Sequence, residues 1–191
     1  MKHIASITFM VTLGVASAFA QETHIKMRFS GTSENSATSL QEPNTSNDAD
    51  SFAGHSALGS FTVRLIRAIA NSPSSSSTCS GANQLYLLEL AGGGVFRFED
   101  GTLLYVNLTE GSDCIDFVPT VVAHCSLTFK ISGGTGRFKN ASGVLTMTET
   151  VVPVLNALND PNNPVFFAAT GEFTGTVSGI CEEMEHPDEV Q

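Results

Sequence analysis

Hydrophobic and polar positions alternate along most of this chain. In Ser60–Ala68, "SFTVRLIRA", Phe61, Val63 and Leu65 oppose Thr62, Arg64 and Ile66. This two-residue step is that of a strand with one buried face. Val144–Val151, "VLTMTETV", puts Leu145, Met147, Glu149 and Val151 on one face. In "VFFAATGEFTGTVSG", Phe167, Ala169, Gly171, Phe173, Gly175 and Val177 share another. No stretch carries a helical period of convincing length. About eight strands at regular spacing, with no helix and no repeat, predict an all-β antiparallel barrel or sandwich. Small residues mixed with large ones on one face, and glycines inside strands, favour the barrel, because closure needs sharp coiling.

The run "VFRFEDGTLLYV" is the clearest hairpin. Asp100-Gly101 fits a two-residue turn, whose backbone takes the positive φ that Asp and Gly tolerate. Counting outward from it pairs Phe98 with Leu103 and Phe96 with Tyr105, and places these four on one face. Arg97, Glu99, Thr102 and Leu104 fall on the other, where Arg97 and Glu99 make an exposed ion pair. Long polar loops are expected near residues 41–51, 71–83 and 157–164, which hold "NTSNDADS", "NSPSSSSTCSG" and "NDPNNP". The two prolines of the last segment argue against a central strand.

Ile131–Thr146, "ISGGTGRFKNASGVLT", gathers four glycines around Arg137. A phosphate cradle would open a helix, and strands flank this loop on both sides: "SLTFKI" before it and "VLTMTETV" after it. The dinucleotide fingerprint fails because Lys139 stands where the third glycine belongs, and no Gly-Lys-Ser/Thr follows for a Walker loop. The glycines therefore predict a kinked corner, in which a β-carbon at Gly134 or Gly136 costs stability.

"ISGGTGRFKNASGVLTMT" followed by "FFAATGEFTGTVSG" resembles the signature of the allene oxide cyclase and dirigent-protein barrels, especially their exported bacterial relatives. "GHSALGSFTV", Gly54–Val63, is similar to an early strand of the same proteins. The likeness covers roughly residues 29–179 and rests on structural glycines and core aromatics. It implies an eight-stranded antiparallel barrel of calycin type, often a homo-oligomer, whose lumen takes an apolar molecule. Plant members guide cyclisation or radical coupling by shaping a reactive ligand. The acidic, asparagine and tyrosine motifs of their sites are not reproduced in this chain, so activity is carried over by fold analogy alone.

The ends of the chain bear on compartment. Met1, Lys2 and His3 are followed by the apolar stretch Ile4–Val15 and by Ala18-Phe19-Ala20, a signal-peptide pattern with cleavage expected after Ala20. Residues 21–191 then form one β-barrel domain with an acidic tail from Glu182 to Glu189, exported to the periplasm or the medium. No segment approaches the roughly 20 apolar residues of a membrane helix. Loss of Lys2 takes the formal charge from -10 to -11. That acidity, with the few remaining cations scattered between Lys26 and Lys139, excludes nucleic acid as a partner and disfavours phosphate esters. Four cysteines, Cys79, Cys114, Cys125 and Cys181, suit an oxidising compartment and allow three connectivities. Cys114 with Cys125 and Cys79 with Cys181 are the pairings expected here, leaving no free thiol. No metal or organic cofactor is expected, because histidines lie singly and no CxxC occurs.

Chemistry is sparse. "GHSALG" lacks the second glycine of an esterase elbow, with Leu58 in its place. Asn44, Asn107 and Asn140 head Asn-x-Ser/Thr triplets. Glu149 continues an apolar face, so an inward turn of that face would project a carboxyl group into the lumen and raise its pKa, as a general acid or ligand donor requires. Tyr105 would offer a phenol to the same space. The expected site is therefore a small, mainly apolar ligand against Phe96, Phe98 and Met147, with Tyr105 and Glu149 as its polar contacts. A binding barrel is the leading expectation, followed by a cofactor-free cyclase or isomerase and by a structural or surface protein with a filled lumen. Should these faces point outward, they would form an apolar belt for a partner subunit.

Overall fold

A computed structural model describes residues 22–181. The signal-like segment and most of the acidic tail lie outside the described residues. Eight strands close into one antiparallel barrel in chain order: β1 (Thr23–Ser36), β2 (Thr45–Ser56), β3 (Gly59–Ala70), β4 (Gln84–Phe98), β5 (Leu103–Asp116), β6 (Val122–Gly134), β7 (Ser142–Ala157) and β8 (Asp160–Ser178). β1 pairs with both β2 and β8, so the sheet closes on itself. Helical structure among the described residues is limited to a 3-10 turn, Gly136–Phe138.

Alternation decides which side chains face the lumen. Phe61, Val63 and Leu65 of β3, Leu145, Met147 and Glu149 of β7, and Ala169, Phe173 and Val177 of β8 are all buried. The connections differ at the two ends of the barrel. One end carries the tight turns β2–β3 and β4–β5 and the β6–β7 corner. The other carries the segments 37–44, 71–83 and 117–121 and the tip of the β7–β8 hairpin.

Two of the expected loops are strands. Residues 45–51 belong to β2, whose Asp48 and Asp50 pair with Arg67 and Leu65 of β3. Composition misleads there, because the inward side chains are acids rather than hydrophobics. Residues 160–164 open β8, pairing with β7 where the hairpin runs past the barrel rim. β1 reaches only as far as Phe166, so this part of β8 is an edge, where proline is tolerated.

The β6–β7 corner does what its glycines suggested, by two different means. Gly136 has φ +54°, a left-handed conformation that other residues strain to adopt. Gly134 instead needs the absence of a side chain, since a β-carbon would lie 2.1 Å from the Leu103 carbonyl oxygen. Arg137 is consumed locally. Its guanidinium donates to the Leu58 carbonyl at 2.6 Å, pairs with Asp100 at 3.1 Å, and lies over the rings of Phe98 and Phe138. It bolts three connections together, which commits this cation to the fold.

Candidate functional site

The turn between β4 and β5 has three residues, not two. Phe98 N–H donates to the Thr102 carbonyl at 3.0 Å, Gly101 N–H donates to the Phe98 carbonyl at 2.9 Å, and Gly101 sits at φ +81°. This is the turn-plus-bulge loop that follows two-residue turns in frequency. Phe96 consequently faces Leu104, and Tyr105 faces Val95. A one-residue change in register moves a strand's side chains to the opposite face. Leu104 is buried in the lumen, and Tyr105 stands half-buried on the outer wall. The expectation of a phenol in the lumen is corrected on this ground.

Phe96, Phe98 and Met147 do face inward, but protein fills the space between them. Phe96 meets Phe173 edge-on at 4.9 Å, Phe98 packs on Phe138 at 4.8 Å, and Phe29 stacks on Phe52 at 4.6 Å. Met147 is fully buried in the same cluster. At this level the lumen is a packed core.

One inward step beyond Met147 the chemistry changes. Glu149, buried, joins Asp50 and Glu89 around the guanidinium of Arg67, and Asp113 is buried in the same layer. Arg67 follows Phe61, Val63 and Leu65 on the inward face of β3. Its Nε and Nη2 donate to the two oxygens of Asp50 at 2.7 and 3.1 Å, and its Nη1 donates to Glu89 at 2.6 Å. Asp48 Oδ2 and Glu149 Oε2 stand farther off, at 3.7 and 3.6 Å from Nη2. Two bulges feed this layer. An extra residue on β4 opposite Ala68 and Ile69 turns Glu89 inward, and another on β5 near Leu108 and Glu110 does the same for Asp113.

The layer holds more acid than its single cation balances. Glu89 Oε2, Asp113 Oδ1 and both oxygens of Glu149 are buried without a hydrogen-bond partner. Burial raises the Glu149 carboxyl to about 8, against the pull of Arg67, with Asp50, Asp113 and Asp48 adding to the rise. Burial raises Asp48 to about 6 in the same way, and pushes Glu89 well above its usual range. Burial opposes the charge on Arg67, but Asp50, Glu89, Glu149 and Asp48 together lift its pKa further. Cys125 lies beside the layer, its thiol bonded to Asp113, and burial followed by Asp113 and Glu149 raises it.

Beyond the acids the lumen opens. A recess of 230 Å³ is walled by Ile115, Phe117, Ala123, Val151, Pro153 and Phe167, together with Asn35. Ile115, Ala123 and Val151 lie two residues past Asp113, Cys125 and Glu149 on their strands, a rise of about 6.6 Å. The acid layer therefore lies one inward position below the walls of the recess, and none of its carboxyl groups is among the lining residues. Asn35 connects the two by donating to Asp48 Oδ1 at 2.7 Å, and Asp48 retains 14% of its side-chain exposure. A wider groove of 650 Å³ adjoins at the rim, sharing Phe117, Val121, Pro153 and Pro164.

The cysteines pair differently from the expectation. Cys79 bonds to Cys114, with 5.8 Å between Cα atoms, and ties the 71–83 segment to β5 at the open end of the barrel. Cys125 points into the lumen as a buried thiol, and Cys181 is exposed and free. Cys114 and Cys125 occupy adjacent paired strands, but Cys114 faces His124 across the ladder, so the two cysteines do not meet.

Sequence parity put Glu149, Phe96, Phe98 and Met147 on inward faces, where the structure has them, and misplaced Tyr105; none of the five lines the recess. It missed Asp48, Asp50, Arg67, Glu89 and Asp113. A charged residue continuing an inward apolar face, as Arg67 does after Leu65, was the available signal. No family model, no curated protein and no solved structure matches this chain. Among the described residues no helix is long and apolar enough to cross a membrane.

Proposed function

We propose that this protein is an exported ligand-binding barrel of the allene oxide cyclase and dirigent type, taking a small, mainly apolar molecule into the recess at its open end. The recess carries the reading. It is the place where inward-facing apolar side chains leave 230 Å³ unfilled, directly above buried polar groups that lack partners. Ligand sites combine apolar walls with a few fixed polar groups, commonly in about 300–1,000 Å³. The smaller volume here suits a compact molecule, or one end of a longer molecule that continues into the adjoining groove. Export is supported by the signal-like start of the sequence and by the Cys79–Cys114 bond, which suits an oxidising compartment.

A second reading, as a cofactor-free isomerase or cyclase, is favoured by one observation. A carboxyl group raised to about 8 is protonated at neutral pH, the state in which it can hydrogen-bond or protonate a bound molecule.

The test uses N-phenyl-1-naphthylamine, an uncharged apolar fluorophore. Its emission should rise on binding to the purified protein and should not rise with Ala123→Phe, which fills the recess from β6. Melting curves establish that the variant is folded. A wild type that leaves the dye dark, or an Ala123→Phe signal equal to wild type, overturns the reading in favour of a filled structural barrel.

A further inference from the structure

The layer beneath the recess is built with a sign. Four carboxyl groups, from Asp48 and Asp50 on β2, Glu89 on β4 and Glu149 on β7, stand around the guanidinium of Arg67 on β3, and a fifth, Asp113 on β5, is buried near Glu89 and Glu149. Arg67 is already engaged. Its three nitrogens already donate to Asp50 and Glu89, and Nη2 also lies between Asp48 and Glu149. Three of its five N–H donors are taken by these bonds, and four acids stand within 3.7 Å of it, with which an incoming carboxylate or phosphate would have to compete. An anionic head group therefore meets an excess of acid over cation.

For a cation the same excess is attractive. Both oxygens of Glu149 are buried with no hydrogen-bond donor, and they belong to the inward position directly below Val151 of the recess wall. Glu149 is 4% exposed. Leaving a buried acceptor unsatisfied costs about 1–3 kcal/mol, so a donor that reaches it recovers that cost. Asp48, linked to the recess through Asn35, is the acid that still touches solvent, and it marks the way in.

We infer that the recess selects an organic cation, an ammonium or guanidinium head on a short apolar body, seated against Asp48 and Glu149 with its body among Val151, Pro153 and Phe167. The inference rests on the recess being the binding site and names the class of molecule bound there. A bare metal ion fits less well, because among the described residues no three His, Cys, Asp or Glu side chains converge as metal ligands. An ammonium needs no such convergence, since its three donors reach separate acceptors.

Entry of the cation is coupled to protons. Glu149 carries a proton at neutral pH and is faced by Asp48 and Asp50, Arg67, Glu89, Asp113 and the Cys125 thiol. β1 and β8 bring no titratable side chain to it, presenting Ser33, Asn35, Gly171 and Ala169. When the ammonium docks, the Glu149 proton leaves to solvent, so the cation replaces the proton as the group that balances the carboxylate. Affinity for an amine should therefore climb as pH rises toward about 8. It should then fall as the amine loses its own proton near about pH 10.

The experiment compares n-hexylamine, 1-hexanol and hexanoate as displacers of the bound dye. At roughly pH 8 the amine should bind about tenfold tighter than the alcohol, the gain of a charge-assisted hydrogen bond over a neutral one, and hexanoate weakest. Near about pH 5 the amine's advantage should shrink to less than about threefold, since Glu149 and Asp48, the acids the head group would meet, are then protonated. Calorimetry of amine binding in two buffers of different ionisation enthalpy should report proton release. Glu149→Gln should bring the amine-to-alcohol ratio toward one, and Asp48→Asn supplies the same readout should the first variant fold poorly. Alcohol and amine binding equally, or hexanoate binding best, overturns the cation assignment while leaving the recess in place. Failure of all three, with no dye binding, removes both.

Discussion

Met147 and Glu149 are neighbours on one face of β7, and they occupy two different kinds of interior. Around Met147 the lumen is closed by rings in contact: Phe173 lies 4.9 Å from both Phe29 and Phe96. Around Glu149 it is closed by charge, with one guanidinium among five carboxyl groups and four buried oxygens left without donors. Packed rings gain dispersion and lose nothing to water, so every atom there stabilises the fold. A buried ion cluster gives back in desolvation most of what it gains in attraction. The apolar layer is what a stable barrel needs. The charged layer is better explained by what it does for the recess above it, and the comparison teaches where to look for function in a barrel whose core is otherwise full.

The largest effect that could break this contrast comes from Arg67. Arg67→Met removes the only cation of the layer and should cost roughly 3–5 kcal/mol near neutral pH. That cost should shrink in acid, as the stranded carboxyl groups take up protons. Phe173→Ala, in the apolar layer, should cost a similar 3–5 kcal/mol or so, from cavity formation, with no dependence on pH. Urea denaturation of both variants at two pH values separates them. An Arg67→Met penalty that ignores pH would show that the layer is not governed by charge.

Next in size is the pH dependence of the wild type. Glu149 keeps its proton to about 8 in the fold, and its ordinary value in the unfolded chain is 4.5. Between these values the folded state binds more protons than the unfolded, so stability should fall as pH rises across that window and level off above it. Asp48, raised to about 6, adds to the early part of the decline. Glu149→Gln should flatten the curve and raise stability near about pH 8 by on the order of 1–3 kcal/mol. A curve for Glu149→Gln parallel to wild type would mean that other groups set the slope.

The smallest effect sharpens the map of the site. Tyr105→Phe should change stability by less than about 0.5 kcal/mol and leave dye and amine binding as in the wild type. Reduced binding in this variant would return the site to the position that a two-residue turn implies.

The sequence by itself determined the fold class and most of the inward face. Alternation in Phe61-Val63-Leu65, Leu145-Met147-Glu149 and Phe167-Ala169-Phe173 is a property of each strand alone, because side chains point to opposite sides of any extended chain. That is why Glu149 was legible as an inward acid, and why the eight-stranded antiparallel architecture followed from counting. What the tertiary structure decided is everything that depends on a neighbour. A single residue in the β4–β5 turn exchanged Tyr105 for Leu104. Bulges on β4 and β5 brought Glu89 and Asp113 inward against the local alternation. Asp48 and Asp50 sit in a segment whose composition is that of a loop, and it becomes a strand because β1 and β3 pair with it on either side. The disulfide joined Cys79 to Cys114 because the 71–83 segment folds back over β5, a proximity that chain spacing does not encode. Parity is local and survives in the sequence; register, bulges and contacts between distant segments are set by the partners that satisfy each strand's hydrogen bonds, and those exist only once the barrel has closed.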